Sequence, residues 1–239
     1  MENVSELKES GYLVIDKLFD HEKCSKILSW IEDYREQYTV QKVYRPMKER
    51  SLFYYVINGE QVEQNLPRIW QIYQDINQFV NQVSQQELTP LSSKLATVNV
   101  NIVPPGGEYR WHYDRNMVTA LLFLNNFAAG EIEFYPNYRI LVKNQKIVFL
   151  QKYLDAILKN KLLRDLFGKK VSIKPCLGMI IIMRGNKCLH SVKPVEGDRE
   201  RINLVLSYDS PQAQFPVEQN LNSYLYTTEK PTSSDPNYL

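Results

Sequence analysis

The chain has no apolar run approaching 18 residues, which excludes a helix hydrophobic enough to span a bilayer. Its opening residues, MENVSELKES, lack the cationic-then-apolar signature of a secretory leader. Cysteine is scarce. Cys24, Cys176 and Cys188 are widely spaced with no CxxC pair, an odd count that fits reduced thiols rather than a disulfide framework. The expected compartment is therefore the cytoplasm. Charge of one sign is also lacking: 29 Lys and Arg are interspersed with 27 Asp and Glu, so there is no basic stripe for a nucleic acid to follow. A GxSxG elbow and a P-loop are both absent, and with them the usual routes to serine hydrolysis and nucleotide cradling. No internal repeat is visible.

What remains is ordinary globular composition, 44% hydrophobic and 23% charged over 239 residues, enough for one full core. A single domain over residues 1–239 is expected. Histidine is rare, with three in all, so where they fall is informative. One lies in EYRWHYD (108–114). In an extended chain successive side chains alternate between faces, so His112 and Asp114 point the same way, with Cα atoms about 6–7 Å apart. His190, in KCLHSVKPV, can supply a third ligand. Two imidazoles and one carboxylate with open positions suit non-haem Fe(II). His21 falls in the first turn of an expected helix and reads as a solvated helix-end residue.

Taken in order, residues 11–19 read as a strand, and Asp20 as the N-cap of a helix over 21–37 with Cys24, Ile27, Leu28 and Ile31 as its apolar stripe. Residues 39–60 mix basic and aromatic side chains and close on an expected Asn-Gly turn; they read as a solvated loop whose Arg45, Lys48 and Arg50 face either water or an anionic substrate. A second helix is expected from about 65 to 85, with Pro67 in its first turn. From residue 96 the texture changes to short β-branched and aromatic runs, as in an antiparallel sheet system. There Asn99 and Asn101 share one strand face, turned either to an organic ligand or to solvent. Residues 118–126, apolar on both faces, read as a central buried strand, and 128–136 as its hairpin partner. Glu131 and Glu133 read as solvent-facing or cross-strand-paired. Residues 146–168 carry Leu154, Ile157, Leu158, Leu162 and Leu166 at helical spacing, with Gly168 as C-cap. Such a helix is expected to pack on the sheet, or else to form a lid or a dimer contact. Residues 201–209 are the last strand.

In order the chain shows HYD, a Leu-rich strand ending LNN, GEIEFYP, KPCLGMIIIM, HSVKPV, then GDRER and an alternating strand. This succession resembles the Fe(II)- and 2-oxoglutarate-dependent oxygenases, in particular the prolyl-hydroxylase-like and phytanoyl-hydroxylase-like branches. The resemblance implies a mostly β fold: a double-stranded β-helix (jelly-roll, cupin-like) core over about 96–209, with N-terminal helices of 1–95 packed outside the sheet. An insertion at about 137–170 and a tail over 210–239 lie beyond it. It implies His112, Asp114 and His190 as iron ligands, with 2-oxoglutarate and O2 as co-substrates. The arginine that holds the distal carboxylate of 2-oxoglutarate is implied at Arg201 or Arg199, placed on one face of the last strand. Arg201 is preferred because INLVL follows it. The resemblance also implies Asn101, on the strand before HYD, as a further co-substrate contact. The implied activity is hydroxylation of a small metabolite or biosynthetic intermediate, with a peptide or protein residue as the alternative substrate. Asp114 favours oxygen insertion, desaturation or ring formation over halogenation, for which relatives carry a small residue there. A non-catalytic β-barrel binding module is the alternative of a different class. Neither a nucleic acid nor a membrane is expected as partner.

Overall fold

The computed structural model describes residues 7–47, 49–142, 145–213 and 224–227. Two antiparallel sheets carry the architecture. The large one begins with β1 (Tyr12–Ile15), β2 (Gln41–Arg45), β3 (Leu52–Ile57), β4 (Thr89–Pro90) and β5 (Val98–Val103), and the small one with β6 (Tyr109–His112). Strands then alternate between sheets: β7 (Val118–Phe123) large, β8 (Ile132–Tyr135) and β9 (Val171–Ile173) small, β10 (Ile180–Met183) large, β11 (Leu189–Val192) small, β12 (Arg201–Asp209) large. The large sheet runs β1-β10-β7-β12-β5-β3-β2, with β4 beside β12, and the small one β6-β11-β8-β9.

Helices α1 (His21–Gln37), α2 (Gly59–Asn65) and α3 (Pro67–Ser84) cover the outer face of the large sheet. Helix α1 starts where expected, with the Asp20 carboxylate accepting from the Lys23 N–H at 2.8 Å. Its Cys24, Ile27 and Ile31 are buried, and so are Ile69, Ile72, Ile76 and Val80 of α3. Both stripes meet Val98, Val100 and Ile102 of β5 and Leu204 and Leu206 of β12. Each such side chain fully removed from water contributes about 1.5–3 kcal/mol. Strand β7 is buried along its whole length, with Ala120 and Leu122 turned to the helices and Leu121 and Phe123 to the space between the sheets.

Four expectations are corrected. Residues 39–60 are not a loop but the β2–β3 hairpin, paired Val43↔Tyr54. The Asn58-Gly59 pair opens α2 instead of forming a turn, because Asn58 and Gln61 form a reciprocal capping box. Strand β8 is not the hairpin partner of β7; it crosses to the small sheet and pairs with β11, His190 opposite Phe134. The helix expected over 146–168 is broken. A 3₁₀ stretch at Gln145–Leu150 leads into α4 (Gln151–Leu158), and Asn160 then caps a separate α5 (Lys161–Phe167). Its apolar stripe does not pack on the sheet: Ile157, Leu162 and Leu166 are exposed.

Candidate metal centre

The site lies between the sheets, where β6 and β11 pair with His112 opposite His190. A register shift follows, between His190 and Val192, a bulge of the kind that re-aims side chains beside functional sites. The two rings lie 4.0 Å apart, centroid to centroid. Both use the same local device. The Nδ1 of His112 lies 2.9 Å from the Arg110 carbonyl, and the Nδ1 of His190 lies 3.0 Å from the Cys188 carbonyl. A carbonyl only accepts, so each Nδ1 carries the proton and each Nε2 keeps a lone pair, a tautomer assigned from this network.

Both Nε2 atoms face the same oxygen, Asp114 Oδ1, at 3.5 and 3.6 Å. The three candidate ligand atoms lie within 4.8 Å of one another, and among the described residues this is the only such cluster of His, Cys, Asp and Glu. Two proton-free nitrogens aimed at a carboxylate oxygen repel unless a cation lies among them. Neighbouring ligands held at ~2.1 Å on perpendicular axes are about 3 Å apart, so each Nε2–Oδ1 distance has to close by about half an ångström to coordinate a shared ion. The donor set fits a divalent metal. Burial, with His190 alongside, pushes the His112 pKa down to about 4, so its ring is neutral at pH 7. Burial alone would raise Asp114, but His190, His112 and the Thr119 hydroxyl outweigh it and hold the carboxyl well below its usual range.

The carboxylate is held from behind. Thr119 Oγ1 donates to Asp114 Oδ2 at 2.5 Å and accepts from Asn116 Nδ2 at 2.9 Å, which fixes Oδ1 toward the histidines. The Asp114 N–H donates to the Gly185 carbonyl at 3.1 Å. A Cβ on Gly185 would meet Thr119 Oγ1 at 2.7 Å and Asp114 Oδ2 at 2.9 Å, so only glycine leaves the carboxylate its space. Sequence reading missed Gly185 and Thr119; nothing in MRGNK or VTALL marks them.

A cavity of about 130 Å³ opens from the triad along β12, where Arg201, Asn203, Val205 and Ser207 alternate into it, facing Asn99 and Asn101 of β5. Arg201 is 2% exposed, and its Nε and Nη1 have no hydrogen-bond partner among the described residues. Its one described contact is the Phe123 ring, 5.0 Å from the guanidinium carbon. Burial lowers its pKa to about 9, with no acidic group offsetting this. Arg199 lies in the turn before β12 and is exposed, so it does not share the strand face assigned to it from sequence. The structure thus brings His112, Asp114, His190, Arg201 and Asn101 to one cavity and leaves Arg199 outside.

The remaining candidates fall elsewhere. Arg50 donates to Ser191 Oγ at 2.6 Å and pairs with Glu133, which is buried behind the site and also meets Lys170 at 3.1 Å. Glu131 is paired with Lys193 at 3.7 Å. Lys48 lies outside the described residues. His21 is exposed on α1. Arg45 has a role that no local pattern indicates. Its Nε and Nη2 donate to the carbonyls of Tyr224 and Thr227 at 3.3 and 3.0 Å, while Tyr54 donates to the Leu225 carbonyl at 2.8 Å. That clamp sets Leu225 and Tyr226 into the cavity wall. Burial raises the Tyr226 phenol, and Asn99 hydrogen-bonds it.

No family model matches the sequence, and no curated protein matches it. Solved structures do. The non-haem α-ketoglutarate-dependent carbocyclase SnoK of nogalamycin biosynthesis is similar with a TM-score of 0.72 at 13% identity, over 98% of this chain and 94% of that one. HygX from Streptomyces hygroscopicus, with nickel and 2-oxoglutarate bound, gives 0.61 at 12% identity, over 90% and 88%. A Trichoplax adhaerens prolyl hydroxylase in complex with a hypoxia-inducible-factor peptide fragment gives 0.54 at 17%, over 85% and 86%. The fold is the one these enzymes share.

Proposed function

We propose that this chain is an Fe(II)- and 2-oxoglutarate-dependent oxygenase with a double-stranded β-helix core, acting on a small metabolite or biosynthetic intermediate. One observation carries the reading. Three metal-ligating atoms converge at a cavity that also holds a buried guanidinium with no anion to pair with among the described residues. An unpaired buried charge is costly, and a dicarboxylate that chelates a metal at one end and meets an arginine at the other relieves it.

In this reading His112 Nε2, His190 Nε2 and Asp114 Oδ1 hold the iron, and the protonated Nδ1 atoms keep both rings in register through the Arg110 and Cys188 carbonyls. Arg201 binds the distal carboxylate of 2-oxoglutarate, for which its planar fork is suited. Asn101 shares its face and is a second contact to the co-substrate. Bound together, Fe(II), 2-oxoglutarate and O2 supply the oxidant for a C–H bond, with succinate and CO2 released. The protein's part is to orient the metal ligands, to neutralise the co-substrate and to keep water from the reacting groups. The clamped Leu225 and Tyr226 narrow the cavity, which supports a small substrate over a peptide. Hydroxylation is the reaction proposed, and ring formation, the activity named for SnoK, is its nearest alternative.

The test is succinate formation from 2-oxoglutarate with Fe(II) and O2, with Asp114→Ala as control. Fe(II)-dependent succinate lost in the variant supports the reading. If the wild-type chain binds neither Fe(II) nor 2-oxoglutarate, the non-catalytic module replaces it.

A further inference from the structure

The insertion between β8 and β9 is built inside out. The two side chains its helices bury fully are polar, while Leu154, Leu158 and Leu163 are half-buried. Asp155, 2% exposed, is gripped by Arg139 Nε and Nη2 at 2.9 and 2.5 Å, and Gln151 donates to it at 2.9 Å. Arg164, 3% exposed, pairs with Glu49 and stacks over the Trp111 ring. Apolar side chains are turned outward. Tyr153 and Ile157 of α4 are 56% and 55% exposed, and Leu162, Leu166 and Phe167 of α5 are 79%, 73% and 72% exposed. Of the eleven exposed large hydrophobic side chains among the described residues, nine lie between 140 and 167. Such a concentration marks a surface that meets something apolar.

Charge indicates what that is. Residues 145–170 carry seven Lys and Arg against two Asp, in a chain whose net charge is only +2. Both acids are engaged internally: Asp155 by Arg139, and Asp165 by Lys161 Nζ at 2.7 Å and the Tyr135 hydroxyl at 2.5 Å. Lys152 and Lys169 are exposed among the apolar groups, as are Lys161 and Lys170, which already meet Asp165 and Glu133. A symmetric second copy would set this cationic face against itself. An anionic bilayer satisfies both halves of the pattern, taking the apolar side chains below the headgroups and leaving the ammonium groups level with the phosphates. No helix of the described residues is long and apolar enough to cross a membrane, so the element lies on the surface.

We propose that α4 and α5 form an interfacial docking element that seats this protein on an anionic lipid surface. This revises the expectation of no membrane partner, which rested on the lack of a spanning segment. The test is co-sedimentation of the full chain with vesicles of phosphatidylcholine, with and without phosphatidylserine. The wild type should pellet with phosphatidylserine vesicles far more than with phosphatidylcholine alone, and high salt should release it. Leu162→Ser/Leu166→Ser/Phe167→Ser should lower that affinity about 100-fold or more, since three apolar anchors are lost. Lys152→Glu/Lys169→Glu should lower it about tenfold or more on phosphatidylserine vesicles only. Both variants alter exposed positions, and unchanged thermal unfolding confirms that they fold. Failure of the wild type to bind phosphatidylserine vesicles overturns the proposal, as does equal binding by the wild type and both variants. A lipid-independent dimer that the triple variant converts to monomer assigns the face to a second copy and overturns it too.

Discussion

Replacing Gly185 with Ala tests whether the metal site is held from behind by its backbone neighbour. The new methyl would lie 2.7 Å from Thr119 Oγ1 and 2.9 Å from both Asp114 Cβ and Oδ2. Ordinary contact begins near 3.4 Å, so these groups must retreat by about half an ångström or more. Gly185 does not have a positive φ, so alanine adds no backbone strain and the effect is purely one of space. The softest way out is rotation of the Asp114 carboxylate, which breaks the 2.5 Å bond from Thr119 and turns Oδ1 away from the two Nε2 atoms. Losing the support of a metal ligand costs about 10–100-fold in metal affinity. Overpacking costs about 1–3 kcal/mol of stability. Anaerobic Fe(II) titration of Gly185→Ala should therefore fall between the wild type and Asp114→Ala, and Thr119→Val should show the same loss without the overpacking. Wild-type Fe(II) affinity in Gly185→Ala would refute this account of how the carboxylate is held.

Three further outcomes are expected. Arg201→Ala should raise the 2-oxoglutarate Kd about 100-fold or more, since charge-assisted hydrogen bonds contribute about 1.5–3 kcal/mol each, while Arg199→Ala should leave it unchanged; equal effects in a calorimetric titration would contradict the assignment. Glu133→Ala should cost about 3–5 kcal/mol at pH 7 by stranding Arg50. Burial works against Glu133, but Arg50 and Lys170 hold its pKa below the usual value. Its stabilisation is thus present above the unfolded-state pKa of about 4.5 and lost as pH falls through the lower folded-state value, so denaturant melts of wild type and variant should converge in acid. Tyr226→Ala should open the cavity and speed 2-oxoglutarate association several-fold in stopped-flow measurements, and an unchanged rate would show that Tyr226 does not wall the entrance.

What the sequence made legible is what repeats with a period. The α1 and α3 stripes, the doubly buried β7 and the Asn99/Asn101 face all follow from 3.6- or 2-residue spacing, and the structure has them. His112 and Asp114 were paired by that same alternation, and His190 by the scarcity of histidine. What stayed hidden depends on chain segments far apart in sequence. Strand β8 crosses to the other sheet because its alternating Ile132 and Phe134 bury between the sheets with Met183 and Cys188, a choice no local pattern encodes. Arg45 and Arg50 looked solvated because their partners, the carbonyls near Tyr224 and the Glu133 carboxylate, lie 83 to 182 residues away. The 146–168 stripe misled for another reason. Helical periodicity shows that one face is apolar, but it cannot say which face the protein keeps; ion pairs from Arg139 to Asp155 and from Glu49 to Arg164 fixed the polar one inward.

The most direct measurement is anaerobic calorimetry of 2-oxoglutarate binding, with and without Fe(II), to the wild type and to His190→Ala. The account predicts one site per chain whose 2-oxoglutarate affinity rises sharply with Fe(II) in the wild type and shows no Fe(II) dependence in the variant. Equal 2-oxoglutarate affinity with and without the metal, or full Fe(II) dependence retained by His190→Ala, would contradict it.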